Sequence, residues 1–520
     1  MNRLKISPRG ELEKRLLKSS ERMHTEYYDK KHFIQDNEYS WPGDFEGRTL
    51  LALACLARAL KTDEGLDELL SLAAENVNED MYFGKLFDGK IVNEQQLSGN
   101  SWYLRALAEI WEVNKSEFAL ESIRKISDRF LARLIPFYEA YPASGACRKD
   151  KNKGEAIGAL YAKPVNGWLL STDTGCAFIA LDGITHAYKL YPDRQLKNLI
   201  ELMIEKFMSI DVVGLRCQTH ATLSATRGIM RYYEISGNQK YLAYVRHIFT
   251  LYEQNGMTFD YANYNWFLRR SWTEPCAVVD SLLLSCSLFR ATGEYHYAQL
   301  ANRIYHNAIR FAQRGNGGFG CDCCLDEREQ YLYPNRKFYE AYWCCTMRGA
   351  EGLRQCAENT AYAAQDGVYI LLHNDIDAVS DEAAFKLRVE TGKNNSLLLQ
   401  IEKWNTELPL KIYLPDGYKN LTVSGAEGEM INGFYVIDRP VVGKIKINYL
   451  LDALVDAKNK GKICYMAGDM LLGELPESEI PDANEIFDTD RGALTRIVNM
   501  LYLDRSVSLG VRQRIVFDHV

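Results

Sequence analysis

Apolar residues recur at three- and four-residue spacing through most of the first 360 positions of this chain, and then the spacing changes to two. The first regime predicts roughly a dozen helices, among them 43–62, 94–113, 173–191, 215–236, 238–254, 273–291 and 340–362. The joints between them echo one another. Ala187-Tyr188-Lys189-Leu190-Tyr191-Pro192-Asp193 precedes Leu196, Arg231-Tyr232-Tyr233-Glu234-Ile235-Ser236-Gly237-Asn238 precedes Tyr241, Phe289-Arg290-Ala291-Thr292-Gly293-Glu294 precedes Tyr297, and Ile110-Trp111-Glu112-Val113-Asn114-Lys115 precedes Phe118. Each reads as a helix, a tight polar turn and another helix. Helix pairs repeated about six times predict an (α/α)6 toroid, and an open solenoid of the same pairs is the competing arrangement. The irregular stretches 137–170, 255–272 and 315–339 then become loops at one end, where sites usually lie.

From Asp366 onward the alternation Val368, Ile370, Leu372, then Phe385, Leu387, Val389, then Leu397, Leu399, Ile401 predicts strands, continued by 411–414, 433–436 and 445–447. Gly, Asn and Asp separate them, as in a β-sandwich. The expected organisation is a mainly α protein with β: an (α/α)6 barrel over 1–364 followed by a β-sandwich over 365–520 with an irregular C-terminal tail. The last fifty residues receive no role of their own.

Composition narrows the function classes. A chain of 520 residues that is 47% hydrophobic buries large cores. Lys and Arg number 62 against 69 Asp and Glu, a net charge of -7, which disfavours binding a phosphate backbone. The 32 Tyr, 20 Phe and 8 Trp suit a sugar cleft, although core packing accounts for most of them. The first 22 residues are charged throughout, and no run of the sequence reaches the ~18 apolar residues of a membrane span, so a cytoplasmic location is expected. The partners expected are a carbohydrate substrate, no nucleic acid, no membrane, and a homodimer as the candidate assembly. Thirteen cysteines, an odd number, fit reduced thiols or a metal better than a disulfide framework.

Two thiols, Cys344 and Cys345, stand side by side after Tyr342-Trp343, and Glu274-Pro275-Cys276 lies upstream. Three thiols and a carboxylate make one soft, four-coordinate zinc set. Adjacent cysteines are not the usual Cys-x-x-Cys spacing, and by spacing alone buried structural thiols are the simpler reading.

The order of motifs resembles glycoside hydrolase family 127, the bacterial β-L-arabinofuranosidase type. Glu274-Pro275-Cys276-Ala277 is similar to the family's Glu-x-Cys-Ala, Trp343-Cys344-Cys345 to its Cys-Cys, and Thr219-His220-Ala221 to its Gly-His-Ala. Glu94-Gln95-Gln96-Leu97-Ser98-Gly99 with Trp102-Tyr103-Leu104-Arg105, and Asp366-Gly367-Val368-Tyr369, resemble further stretches of it, so that the likeness spans most of 40–475. The resemblance implies a barrel-plus-sandwich glycosidase with Zn2+ held by Glu274, Cys276, Cys344 and Cys345. It also implies Cys344 as nucleophile in retaining hydrolysis of a terminal L-arabinofuranose-like or other unusual sugar of a plant or bacterial glycan.

Departures from the family pattern fall on the acid and the sugar contacts. Between Glu253 and Glu274 there is no glutamate to serve as acid/base, which leaves Asp260 and, second, Glu253. Gly99-Asn100 and Asp173-Thr174-Gly175 stand where relatives carry histidines, which implies a changed glycone. His220, Asn100, Asp173, Trp102 and Trp266 are the expected sugar contacts. Cys321, Cys323 and Cys324 form a further cluster without a fourth partner in the sequence nearby. The competing classes are a non-hydrolytic carbohydrate-binding or structural descendant that kept the metal site, and a toroid epimerase or lyase without metal.

Overall fold

The computed structural model of the chain describes residues 4–36, 38–144, 158–475 and 482–519. Part of the expected loop 137–170 and of the acidic loop before Asp482 lies outside them. Twelve helices of ten or more residues occur among the described residues: α1 Gly10–Met23, α2 Asp44–Leu60, α3 Leu66–Asn76, α4 Glu94–Asn114, α5 Glu117–Arg129, α6 Ala180–Leu190, α7 Arg194–Met208, α8 Thr219–Ser236, α9 Gln239–Asn255, α10 Pro275–Thr292, α11 Tyr295–Ile304 and α12 Cys345–Thr360.

Even-numbered helices form an inner ring, each packed on the next, and α12 packs back on α2. The toroid is therefore closed, which the sequence alone left open. Burial shows why the chain sorts this way. In α7, burial falls on the stripe Leu196, Leu199, Ile200, Met203, Ile204 and Phe207, as expected of an outer helix. In α10 every residue from Pro275 to Cys286 is buried. This is the one described helix long and apolar enough to cross a membrane, and it is an inner barrel helix with 78% of that window buried. Closing so small a ring needs small residues where inner helices cross. A Cβ on Gly47 of α2 would lie 2.3 Å from the Tyr103 nitrogen of α4, and one on Gly228 of α8 2.5 Å from the Leu181 carbonyl carbon of α6. The repeated polar joints are helix caps: Asp193 Oδ1 accepts from Gln195 N at 2.7 Å and Asn238 Oδ1 from Lys240 N at 3.0 Å.

The bore below the site is filled by charge. Arg105 donates to Glu351 at 2.8 Å, Arg227 to Asp280 at 2.8 Å and to Glu351 at 3.2 Å, Arg231 to Asp182 at 2.7 Å, and Arg348 to Asp280 at 2.6 Å. Burial pushes the Asp182 carboxyl up, but Arg227, Arg231 and Arg105 outweigh it and hold it at about 2.

The sandwich places a six-stranded antiparallel sheet over a five-stranded one. Its core is Val368, Phe385, Leu397, Leu399, Ile412 and Ile445, all 0–1% exposed. The first sheet has an unexpected edge strand. Lys5–Pro8 pairs antiparallel with Ile376–Val379, so residues within the span assigned to the barrel complete the sandwich. The C-terminal region is also more ordered than an irregular tail. Leu454–Ala457, Lys462–Ala467, Met470–Glu474, Gly492–Arg496 and Ile486–Thr489 make a third sheet, and Gln513–Arg514 pairs with Tyr331–Leu332 of the loop before α12.

Candidate active site

Inner helices all run the same way, so their N-termini gather at one end of the barrel with their positive dipole ends together, a setting that favours thiolates and carboxylates. Three of these N-termini bring the sequence motifs into one place. Cys276 is the second residue of α10, Cys345 the first of α12, and Cys344 the residue that caps it. The Cys276 and Cys345 sulfurs are 3.7 Å apart, those of Cys344 and Cys345 3.4 Å, and all three lie within 4.8 Å of one another. These are free thiols, far outside the ~2.05 Å of a disulfide. The remaining described cysteines are all buried, and Cys344 is only half-buried.

Glu274, His220 and Cys276 form a second triangle with ligand atoms within 4.8 Å, sharing Cys276 with the first. Glu274 precedes Pro275 at the start of α10. Its carboxylate accepts from Gln218 Nε2 at 3.5 Å and from the Asn265 amide, whose oxygen in turn accepts from Trp272 Nε1 at 3.1 Å. His220, second in α8, is fixed from below by Asp280 Oδ2, 2.8 Å from its Nδ1.

Arg48 of α2 binds the two triangles together. Its Nε donates to Asp44 at 2.9 Å, Nη1 lies 3.6 Å from the Cys276 sulfur, and Nη2 lies 3.4 Å from His220 Nε2. Its guanidinium stacks 4.1 Å from the Trp102 ring, which also faces Arg348 at 4.7 Å and lies parallel to His220.

The donor set fits a zinc ion. Two sulfurs each ~2.3 Å from one tetrahedral ion lie roughly 3.8 Å apart, close to the separations present here. Without a cation the cluster is held protonated: burial raises Cys276 and Cys345 well above the ordinary thiol value. At Cys344 a hydrogen bond with Cys276 lowers the value, but the bond with Cys345 and burial outweigh it. Burial and the neighbouring Asp173 push Glu274 up to about 8. A buried set of three thiols and a carboxyl with these shifts is what a divalent cation would reverse.

The expected sugar contacts divide. Asn100 is 1% exposed and its amide is spent on backbone: Oδ1 accepts from Phe83 N at 2.8 Å, and Nδ2 donates to the Pro42, Phe83 and Gln96 carbonyls. It braces the turn before α2 and has no polar atom left for a sugar. Trp102, 1% exposed between two arginines, is the floor under His220 and cannot stack on a ligand. Trp266 is likewise buried, edge-on to Trp272 and under Arg269.

The carboxyls proposed as acid/base are placed elsewhere. Glu253 of the outer helix α9 pairs with His296 at 2.8 Å on the partly exposed side of the barrel. Asp260 is buried in the loop before α10, where its Oδ1 accepts from Thr258 at 2.6 Å, and its electrostatic neighbours are Asp322 and Lys458. Asp173 is a carboxyl close enough to Glu274 to raise it. It is 3% exposed, burial pushes it up to about 7, and its Oδ1 has no hydrogen-bond partner among the described residues. The Thr174 carbonyl beside it accepts from Gln218 N at 3.1 Å, and the Gln218 side chain reaches Glu274.

The cysteine cluster at 321–324 splits as well. Cys321 shares a hydrogen bond with Cys345, whereas the Cys323 sulfur lies 3.2 Å from the Tyr331 carbonyl and that of Cys324 3.9 Å from the Asn263 carbonyl. Sequence reading missed Arg48 and Asp280. Asp280 had a signal, as the one charged residue between Pro275 and Phe289 of α10, whereas Arg48 stands close to Asp44 and Glu46 at the head of α2 and had none.

No protein-family model and no curated protein matches this sequence. Solved structures do. A GH127 β-arabinofuranosidase superposes with a TM-score of 0.69 at 13% identity, covering 99% of this chain and 97% of that one. A GH127 β-L-arabinofuranosidase from Geobacillus stearothermophilus T6 gives 0.63 at 12% identity, covering 93% and 88%. The chain has the GH127 fold. A further structure described as a glycoside hydrolase gives 0.64 at 13% identity over 93% of this chain and 86% of that one. The GH127 fold thus extends over barrel and sandwich together, and the thiol cluster sits at the open end of its barrel.

Proposed function

We propose that this protein is a divergent glycoside hydrolase of the family 127 type, cleaving a terminal L-arabinofuranose-like or other unusual sugar with Cys344 as nucleophile. The observation that carries the reading is the sulfur triangle of Cys276, Cys344 and Cys345, in which Cys344 alone is not fully buried. Its support is the GH127 fold and the convergence of inner-helix N-termini on the cluster.

Cys276, Cys345, Cys344 and Glu274 would hold the zinc, with His220 as the further donor within reach. A zinc ion held there keeps its thiols ionised at neutral pH. Cys344 Sγ attacks the anomeric carbon, the glycosidic C–O bond breaks, and the departing oxygen takes a proton from Asp173. Water, giving its proton to Asp173, then displaces the sulfur and releases the sugar with its configuration retained. The buried Asp173 carboxyl replaces Asp260 and Glu253 in this role because its free oxygen lies in the loop joined through Gln218 to Glu274. Arg48 orients the Cys276 sulfur and His220 Nε2 and excludes water from beneath them.

The test is release of 4-nitrophenol from a panel of aryl furanosides, with 4-nitrophenyl β-L-arabinofuranoside first, and zinc measured on the same sample. The reading expects zinc near one per chain and product with retained configuration. A zinc-loaded protein that cleaves no glycoside of the panel but still binds sugar is the non-hydrolytic descendant instead.

A further inference from the structure

A cavity opens against the chain segment that leads into α12. It has a volume of about 630 Å³ and lies between α1, the loop before α12 and the segment 501–505. Tyr342 lines it and lies two residues from Cys344, so the cavity wall comes within ~7 Å of chain from the nucleophile. Its size falls in the range of small-molecule sites, large enough for a short oligosaccharide.

The lining is chemically unlike the rest of this acidic chain. Five basic side chains face two acidic ones. Both acids are engaged: Glu340 accepts from Arg22 at 2.7 and 3.1 Å and from Asn316 at 2.8 Å, and Asp504 accepts from Ser506 Oγ at 2.6 Å and from Val507 N at 3.0 Å. That leaves Arg336, Lys337 and Arg505, exposed and with no carboxylate within 4 Å among the described residues. Among the described residues the Lys337 and Arg505 side chains face rings, Phe338 at 5.1 Å and Tyr339 at 5.4 Å. The aromatic half of the wall is also open. Tyr342 is 38% exposed and stacked on Tyr27, and Tyr502 is 56% exposed.

Three cations without counter-ions beside exposed flat rings, in a chain of net charge -7, describe a ligand that is anionic and has apolar sugar-like faces. We infer that this cavity binds an acidic saccharide, one bearing uronate carboxylates, as the leaving-group portion of the substrate whose terminal sugar reaches Cys344. Arg336 and Arg505 pair with its carboxylates, and Tyr342 and Tyr502 pack on its rings. The placement as leaving group rests on the glycosidase reading; the binding itself does not.

Two probes of equal length separate the possibilities: trigalacturonate and its fully methyl-esterified, neutral counterpart. Calorimetric titration of the zinc-loaded full chain is expected to show trigalacturonate binding at least tenfold tighter than the ester and weakening as salt rises. Arg336→Ala and Arg505→Ala should each lower that affinity about tenfold, with melting temperature and zinc content as in the parent. Equal binding of acid and ester, no binding of either, or equal competition by inorganic phosphate overturns the inference. If trigalacturonate binds as described but no aryl glycoside is cleaved, the glycosidase reading fails and the acidic-saccharide site stands.

Discussion

His220 Nδ1 lies 2.8 Å from Asp280 Oδ2, and Asp280 is the point where the charged bore of the barrel meets the thiol site. Burial raises the Asp280 carboxyl, but Arg348, His220 and Arg227 together hold it far below the usual carboxylate range. It is therefore ionised and can only accept, so His220 donates from Nδ1 and turns Nε2 toward Arg48 and the cluster. Burial outweighs Asp280 and brings His220 down to about 4, so the ring is neutral at pH 7 and that nitrogen carries a lone pair. Replacing Asp280 with alanine removes one of the two carboxylates, with Glu351, that the buried Arg227 and Arg348 share. The expected cost is about 3–5 kcal/mol of stability, read by chemical denaturation. Asp280→Asn keeps the shape and an acceptor oxygen and should cost less, while loosening the orientation of His220 and lowering zinc affinity by roughly 10–100-fold.

The thiols are expected to separate by role. Cys344→Ala should abolish turnover with the fold intact, because it removes the sulfur proposed as nucleophile, on the half-buried member of the trio. Cys276→Ala touches both donor triangles and should cost most of the bound zinc as well as activity. Elemental analysis beside single-turnover assays distinguishes these outcomes. Turnover retained in Cys344→Ala would remove it from the reaction.

The helical pairs were legible because an outer helix such as α7 carries its apolar stripe at three- and four-residue spacing and its cap, Asp193, in sequence. Closure was not legible. It depends on backbone approaches such as Gly228 on Leu181, where the sequence offers only one glycine among many. The thiol site was readable from Glu274-Pro275-Cys276 and Cys344-Cys345, since each motif starts a helix and inner helices share one direction. Asp260 reads in the sequence as a loop carboxyl near the motif, but its loop folds inward toward Lys458 of the C-terminal region. Arg48 stayed invisible because its partners, Cys276 and His220, are more than 170 residues away. Lys5–Pro8 has too short a pattern to announce a sandwich strand.

Asp173 yields a prediction independent of any titration curve. If it donates the proton to the departing oxygen, Asp173→Asn should slow substrates with poor leaving groups by about 10²–10⁴-fold. Substrates with an activated aryl leaving group should keep a fast first step and accumulate glycosyl-enzyme. Azide, a nucleophile needing no base, should restore turnover with the activated substrate only. A uniform loss across all leaving groups would assign Asp173 to sugar binding.

Asp260 carries a stability prediction away from the chemistry. Burial pushes its carboxyl up to about 7, with Thr258 opposing and Asp322 adding. The folded protein therefore keeps a proton on Asp260 that the unfolded chain releases near pH 4. Over this window the folded state binds more protons, so the contribution of Asp260 falls as pH rises from about 4 to 7 and is constant above that. Asn at this position keeps an Oδ1 for the Thr258 hydroxyl and has no charge to bury. Asp260→Asn should leave stability near pH 4 almost unchanged, flatten the decline between pH 4 and 7, and at pH 8 exceed the parent by on the order of 1–3 kcal/mol, since one pKa unit corresponds to about 1.4 kcal/mol. Urea unfolding of both proteins at pH 4.5, 6 and 8 measures the difference, and a variant destabilised at pH 8 would mean that the Asp260 carboxylate is stabilised by Lys458 more than burial penalises it.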